Sequence, residues 1–128
     1  MAGAIPDTTA LYDESAIPSL LFHGTDDNLV PYGTAPHHYC DKEKEGHLIL
    51  HGSNSIAKKL EVLDVPYWLH TTCGAGHEMA IKPISNYFDE IVDFCNTFVV
   101  KKDGDQRHTI IEGIQNKNNY KIFNFCSK

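Results

Sequence analysis

Two kinds of apolar spacing alternate along this chain. Residues 17–23 form an apolar run without polar alternation, stopped by Gly24. Such a run fits a strand covered on both faces, as in a parallel sheet. Pro18 stands at its start, where a missing N–H costs least. Tyr67-Trp68-Leu69-His70-Thr71 is rich in strand formers. Between these runs, Ile56, Leu60 and Leu63 recur at helical spacing, with Lys58, Lys59 and Glu61 facing water. Ser53 or Ser55 suits the cap of that helix, and Asp64-Val65-Pro66 ends it. The strongest helical pattern spans residues 83–100. There Ile84, Tyr87, Phe88, Ile91, Phe94, Cys95 and Phe98 make one wide stripe, with Asp89, Glu90 and Asp93 off it. Pro83 suits its first turn, and Lys101, Lys102 and Gly104 suit its end.

Weaker signals fill the rest. Residues 1–5 read as the end of a short strand, stopped at Pro6. Residues 33–41 are expected to form a short helix after the Val30-Pro31-Tyr32 turn. Thr109-Ile110-Ile111 and residues 120–125 read as short strands or a packed arm. Strand, helix, strand, helix is the pattern of βαβ units and predicts an α/β fold with a parallel sheet. In such sheets ligand sites lie beyond the carboxyl ends of the strands. Two polar turns, residues 23–32 and 72–79, fall at such ends. With 128 residues the chain is one domain at most. Its main body is assigned to residues 1–102, with a polar extension at 103–128.

The chemistry sits in those two turns. If the two strands are neighbours, Asp27 and His77 lie side by side. A carboxylate at Asp27 would accept a hydrogen bond from one ring nitrogen of His77. That fixes the tautomer and leaves the other nitrogen as general base. Gly74, Ala75 and Gly76 let the backbone turn sharply and present the imidazole.

Charge narrows the class. The formal net charge of −6, with only two basic doublets, argues against a nucleic-acid partner, which needs a basic face. No apolar run is long enough to span a bilayer. The first six residues lack the basic start and long apolar stretch of a signal peptide. Cys40, Cys73, Cys95 and Cys126 show no C-x-x-C spacing. Their even number is compatible with disulfides in a secreted or periplasmic protein, and equally with buried thiols.

His23-Gly24-Thr25-Asp26-Asp27-Asn28-Leu29-Val30-Pro31 resembles the H-G-x-x-D-x-x-V-P segment of α/β-hydrolase esterases, lipases and related peptidases. Gly74-Ala75-Gly76-His77-Glu78 is similar to the turn that carries that family's histidine. The order acid, then histidine, also fits the family's order of Ser, Asp, His. The resemblance covers about residues 1–100 and is nearest to carboxylesterases of the lipase, feruloyl-esterase or acetyl-esterase kind. It implies the C-terminal part of a hydrolase sheet with helices on its faces. It also implies Asp27 as triad acid, His77 as triad base and Asp26 as a turn or capping residue. No cofactor and no metal are implied. The substrate would be a small-molecule or carbohydrate-linked ester. The family's G-x-S-x-G nucleophile elbow occurs nowhere here, and Gly52-Ser53-Asn54-Ser55 lacks its second glycine. The resemblance therefore implies a partner, the N-terminal half of the hydrolase domain. Residues 1–5 would pair in that sheet with the strand leading into the elbow.

Plainer readings stand beside this one. Asp27 can be an ordinary turn aspartate and His77 a loop histidine. The other histidines, with Cys40 and Cys73, lack the short regular spacing of a zinc site. Cys73 suits a disulfide or a buried thiol better than a nucleophile. A different class is a non-catalytic α/β interaction module, using an open sheet edge for strand addition or dimerisation.

Overall fold

The computed structural model describes residues 3–41, 43–112 and 123–126. In chain order the elements are β1 (Ala4–Ile5), β2 (Ser19–Gly24), β3 (Thr34–Pro36), β4 (Ile49–Gly52), α1 (Ser53–Val62), β5 (Tyr67–Thr72), α2 (Lys82–Asn86), α3 (Phe88–Phe94) and β6 (Gln106–Ile111). A π-helical turn, Cys95–Val100, extends α3, and 3₁₀ turns occupy Thr8–Ala10, His37–Tyr39 and His77–Ala80.

The parallel sheet expected from the apolar runs is present, in the order β2-β5-β6. Leu20 lies opposite Trp68, Phe22 opposite His70 and Gly24 opposite Thr72. Alternate residues point to opposite faces. Phe22 and His70 therefore share one face, while Leu21, His23, Leu69 and Thr71 share the other. All six residues of β5 are buried, which is why its sequence does not alternate. On one face α1 brings Ala57 and Leu60 onto Leu69, Tyr67 and Tyr32. On the other, Tyr87 and Ile91 pack with Leu20 against Phe22, Ala75 and Met79. The protein is thus an α/β structure with helices on both faces of a three-stranded parallel sheet. Among the described residues, no helix is long and apolar enough to cross a membrane.

Several local expectations are corrected. Over residues 33–41 there is no α-helix. Thr34–Pro36 is a strand paired antiparallel with β4, and a single 3₁₀ turn follows. Pro36 in that stretch lacks the N–H a helix needs, and a strand with a remote partner satisfies the backbone instead. β1 also pairs with β4, antiparallel, rather than with the parallel sheet. Met1, Ala2 and residues 120–122 lie outside the described residues. Residues 106–111 of the expected polar extension form β6, which runs parallel to β5.

The last helix is broken. Tyr87 leaves helical geometry, with φ −134° and ψ 34°. Its ring instead meets Phe22 at 5.5 Å and His70 at 6.1 Å. Phe94 and Phe98 both meet Trp68 edge-on, at 5.6 and 5.5 Å. Only part of the wide stripe faces the sheet: Ile84 is 71% exposed and Phe88 60%. By contrast, α1 ends where Asp64-Val65-Pro66 predicts. Asp64 takes a left-handed conformation (φ 54°), which aspartate tolerates better than most residues.

Candidate active site

β2 and β5 are neighbours, so the turns at their carboxyl ends meet. Three hydrogen bonds join those turns. The Thr25 N–H donates to Thr72 O at 3.1 Å, and the Asp26 N–H donates to Ala75 O at 2.9 Å. The Gly74 N–H donates to Thr25 Oγ1 at 2.8 Å. At Gly24 a Cβ would strike the Ala75 carbonyl, so only glycine permits this approach. Gly74 takes φ 76°, which also favours glycine.

Asp27 and His77 come together there. His77 Nδ1 lies 2.9 Å from Asp27 Oδ2. The Asp27 side chain is 0% exposed and that of His77 is 36% exposed. The carboxylate can only accept from the ring, so Nδ1 carries the proton and Nε2 keeps its lone pair. The other carboxylate oxygen, Oδ1, accepts the backbone N–H groups of Leu29 and Val30, each at 2.9 Å. Burial pushes the Asp27 pKa up. Hydrogen bonds from His23, the Val30 N–H, His77 and the Leu29 N–H outweigh it and hold the pKa at about 2. The site therefore presents an ionised, fully packed acid and a base whose second nitrogen has no protein partner among the described residues.

Behind the pair stands a histidine to which the sequence reading gave no separate role. His23 is fully buried, with Nε2 3.4 Å from Asp27 Oδ2 and 3.1 Å from Val30 O. Its Nδ1 lies 2.8 Å from Ser53 Oγ and 3.4 Å from the Ser53 backbone N–H. A backbone N–H can only donate, so Nδ1 of His23 is an acceptor and Nε2 carries the hydrogen. Ser53, His23 and Asp27 thus form a chain that imitates a catalytic triad. All three are 0% exposed, so no substrate reaches Ser53 and the chain is a scaffold for Asp27. Ser53 is the first residue of α1 rather than its cap, which is Gly52, and its hydroxyl bonds His23. The signal in the sequence was the four-residue spacing of His23 and Asp27 about a turn.

The cysteine pairing is now visible. Cys73, in the histidine turn, is bonded to Cys126, while Cys40 and Cys95 are free. Among the described residues, no three His, Cys, Asp or Glu side chains are grouped to hold a metal ion. A cavity of about 460 Å³ lined by Trp68, Asp93, Asp105 and Arg107 lies elsewhere. Trp68 and Arg107 sit near the amino ends of β5 and β6, the opposite end of the sheet from His77. No known family model, curated protein or solved structure matches this chain.

Proposed function

We propose that this chain supplies the acid and the base of a serine carboxylic-ester hydrolase of the α/β-hydrolase type. The observation that carries the reading is the 2.9 Å contact between His77 Nδ1 and the buried Asp27 carboxylate, beside a half-exposed ring. In the reaction, His77 Nε2 takes the proton of a serine hydroxyl as its oxygen attacks the ester carbonyl. Asp27 holds the ring in the required tautomer and stabilises the imidazolium. His77 then gives its proton to the departing alcohol, leaving an acyl-serine. Finally His77 activates the water that releases the acid.

The nucleophile comes from outside this sequence, which contains no G-x-S-x-G. Among the described residues the outer edge of β2 pairs with no strand. A strand added there in parallel would end beside the turns of Asp27 and His77. The test is p-nitrophenyl acetate hydrolysis by a polypeptide in which a strand–G-x-S-x-G–helix segment precedes this chain. Activity is expected there, reduced about 10⁴-fold by Asp27→Asn and absent from this chain alone. Turnover by this chain alone that a fluorophosphonate blocks would sink the division of labour. Full activity in His77→Ala would sink the assignment of the base.

A second reading is a non-catalytic interaction module. It is favoured by the open β2 edge and by the exposed apolar side chains of Ile81, Ile84 and Phe88. Stable complexes unaffected by Asp27→Asn, with no ester hydrolysis in the longer polypeptide, would select it.

A further inference from the structure

The segment 123–126 is bonded to the turn that leads to His77 and packs on Tyr32, at the end of the loop that begins at Asp27. We propose that this segment is a positioning clamp for the Asp27–His77 pair, and that the Cys73–Cys126 disulfide makes the clamp sensitive to thiol reductants. The inference rests on the reading of Asp27 and His77 as acid and base.

On one side the grip is covalent. Cys73 is the first residue after β5 and begins the turn that ends at His77, and its partner is Cys126. Its backbone N–H also donates to Ile111 O at 2.9 Å, tying the turn to the end of β6. On the other side the grip is aromatic. Phe123 meets the Tyr32 ring edge-on at 4.8 Å, and Phe125 meets it at 6.2 Å. Tyr32 is fully buried and closes the loop that begins at Asp27. Its hydroxyl is bonded to Thr71 Oγ1 at 2.6 Å, and that oxygen is 2.8 Å from His108 Nε2. Phe125 in turn covers His108 at 5.4 Å. One short segment thus holds the histidine turn by a bond and the aspartate loop by packing.

Hydrogen bonds at Thr72, Gly74 and Ala75 hold the histidine turn against the aspartate loop, and the disulfide at Cys73 adds a covalent anchor at the start of that turn. Among the described residues, Cys126 links this segment covalently to the histidine turn. Loss of the bond separates the segment from the histidine turn and leaves the two turns to their direct hydrogen bonds.

The two sulfurs differ in access. Cys73 is 3% exposed, whereas Cys126 is half-buried. A dithiol reductant, as its thiolate, therefore attacks Cys126 Sγ. A mixed disulfide forms there, the Cys73–Cys126 bond breaks, and Cys73 leaves as a thiolate that takes up a proton. The reductant's second thiol then attacks its own sulfur in the mixed disulfide, freeing Cys126. Two electrons and two protons pass to the protein, and the reductant leaves as a disulfide.

The experiment is proton and nitrogen NMR of the whole chain, following the His77 Nδ1–H resonance. The indole N–H of Trp68, bonded to Asp105 at 2.8 Å away from the site, serves as reference. In the oxidised protein the His77 resonance is expected to be present, protected by the bond to Asp27. Dithiothreitol is expected to abolish it through exchange with water while the Trp68 signal stays, and reoxidation restores it. Cys126→Ser should show the reduced pattern without reductant and respond no further to it. Phe125→Ala, with the disulfide intact, should weaken the same resonance. A His77 resonance that persists in reduced protein and in Cys126→Ser overturns the clamp. So does loss of the Trp68 signal along with it, which would make the disulfide a staple of the whole fold. A resonance absent even from oxidised protein overturns the acid–base pairing itself, which separates the two failures.

Discussion

Asp27 concentrates more of the site's energetics than any other side chain. Its carboxyl pKa is held at about 2 against an ordinary 3.8. A folded pKa below the unfolded one means stability that is present above pH 3.8 and lost as pH falls through to about 2. The displacement corresponds to about 2 kcal/mol for this fully buried group. Urea unfolding at pH 5 and pH 2 should show that loss in the native protein and a smaller one in Asp27→Asn. Equal slopes would refute it. His70 acts in a higher range. It is buried and stacked on Phe22 at 4.7 Å, and its Nε2 has no hydrogen-bond partner among the described residues. Burial pushes its pKa below the ordinary 6.5, with Glu90 opposing and Arg107 and His108 assisting. The unfolded chain therefore takes up the proton first. Stability is intact above pH 6.5 and declines as pH falls through that value and the lower folded one. Burial lowers the His108 pKa in the same sense. Replacing His70→Phe should flatten unfolding midpoints between pH 7 and pH 5, and an unchanged slope would remove His70 from the account. At this scale Asp27 and His77 were legible because each follows a strand in a turn. His23 and Ser53 were not, because their roles depend on contact across 30 positions.

Among the elements, the strands that hold the site were plain in the sequence, and the segments paired with remote partners were not. β2 was plain as an apolar run without alternation and β5 as a run of strand formers, and all six residues of β5 are buried. Local spacing in residues 33–41 points to a helix, because the pairing of β3 with β4 is a tertiary fact invisible in those residues. The break at Tyr87 is of the same kind. Local spacing favours one helix, but the ring gains a place against Phe22 and His70. The approach of the two turns rests on Gly24. Gly24→Ala forces its Cβ against the Ala75 carbonyl. The expected loss is about 1–3 kcal/mol of stability. The His77 Nδ1–H resonance should weaken with it, because the turns must separate. Unchanged stability would mean that the approach is looser than described.

For the whole molecule, closure depends on segments far apart in sequence. The disulfide spans 53 positions. Its removal should cost about 2–4 kcal/mol, mainly by freeing the unfolded chain. Thermal unfolding of Cys126→Ser against the native protein measures it, and an unaltered melting point would refute it. The pairing of Cys73 with Cys126 was not readable from four widely spaced cysteines, since spacing does not choose a partner. Nor was the parallel pairing of β6 with β5, because residues 106–111 are half polar and mostly exposed. The sequence by itself determined the α/β character, the two buried strands, the end of α1 and the acid and histidine at the strand ends. Periodicity, turn chemistry and proline act over a few residues, so they are written locally. Tertiary structure alone decided which strands are neighbours and where the last helix breaks. It also decided that Ser53 is buried behind Asp27 and that the tail is bonded to the histidine turn. Those outcomes depend on which distant surfaces exclude water from one another, and that competition is settled only when the whole chain is packed.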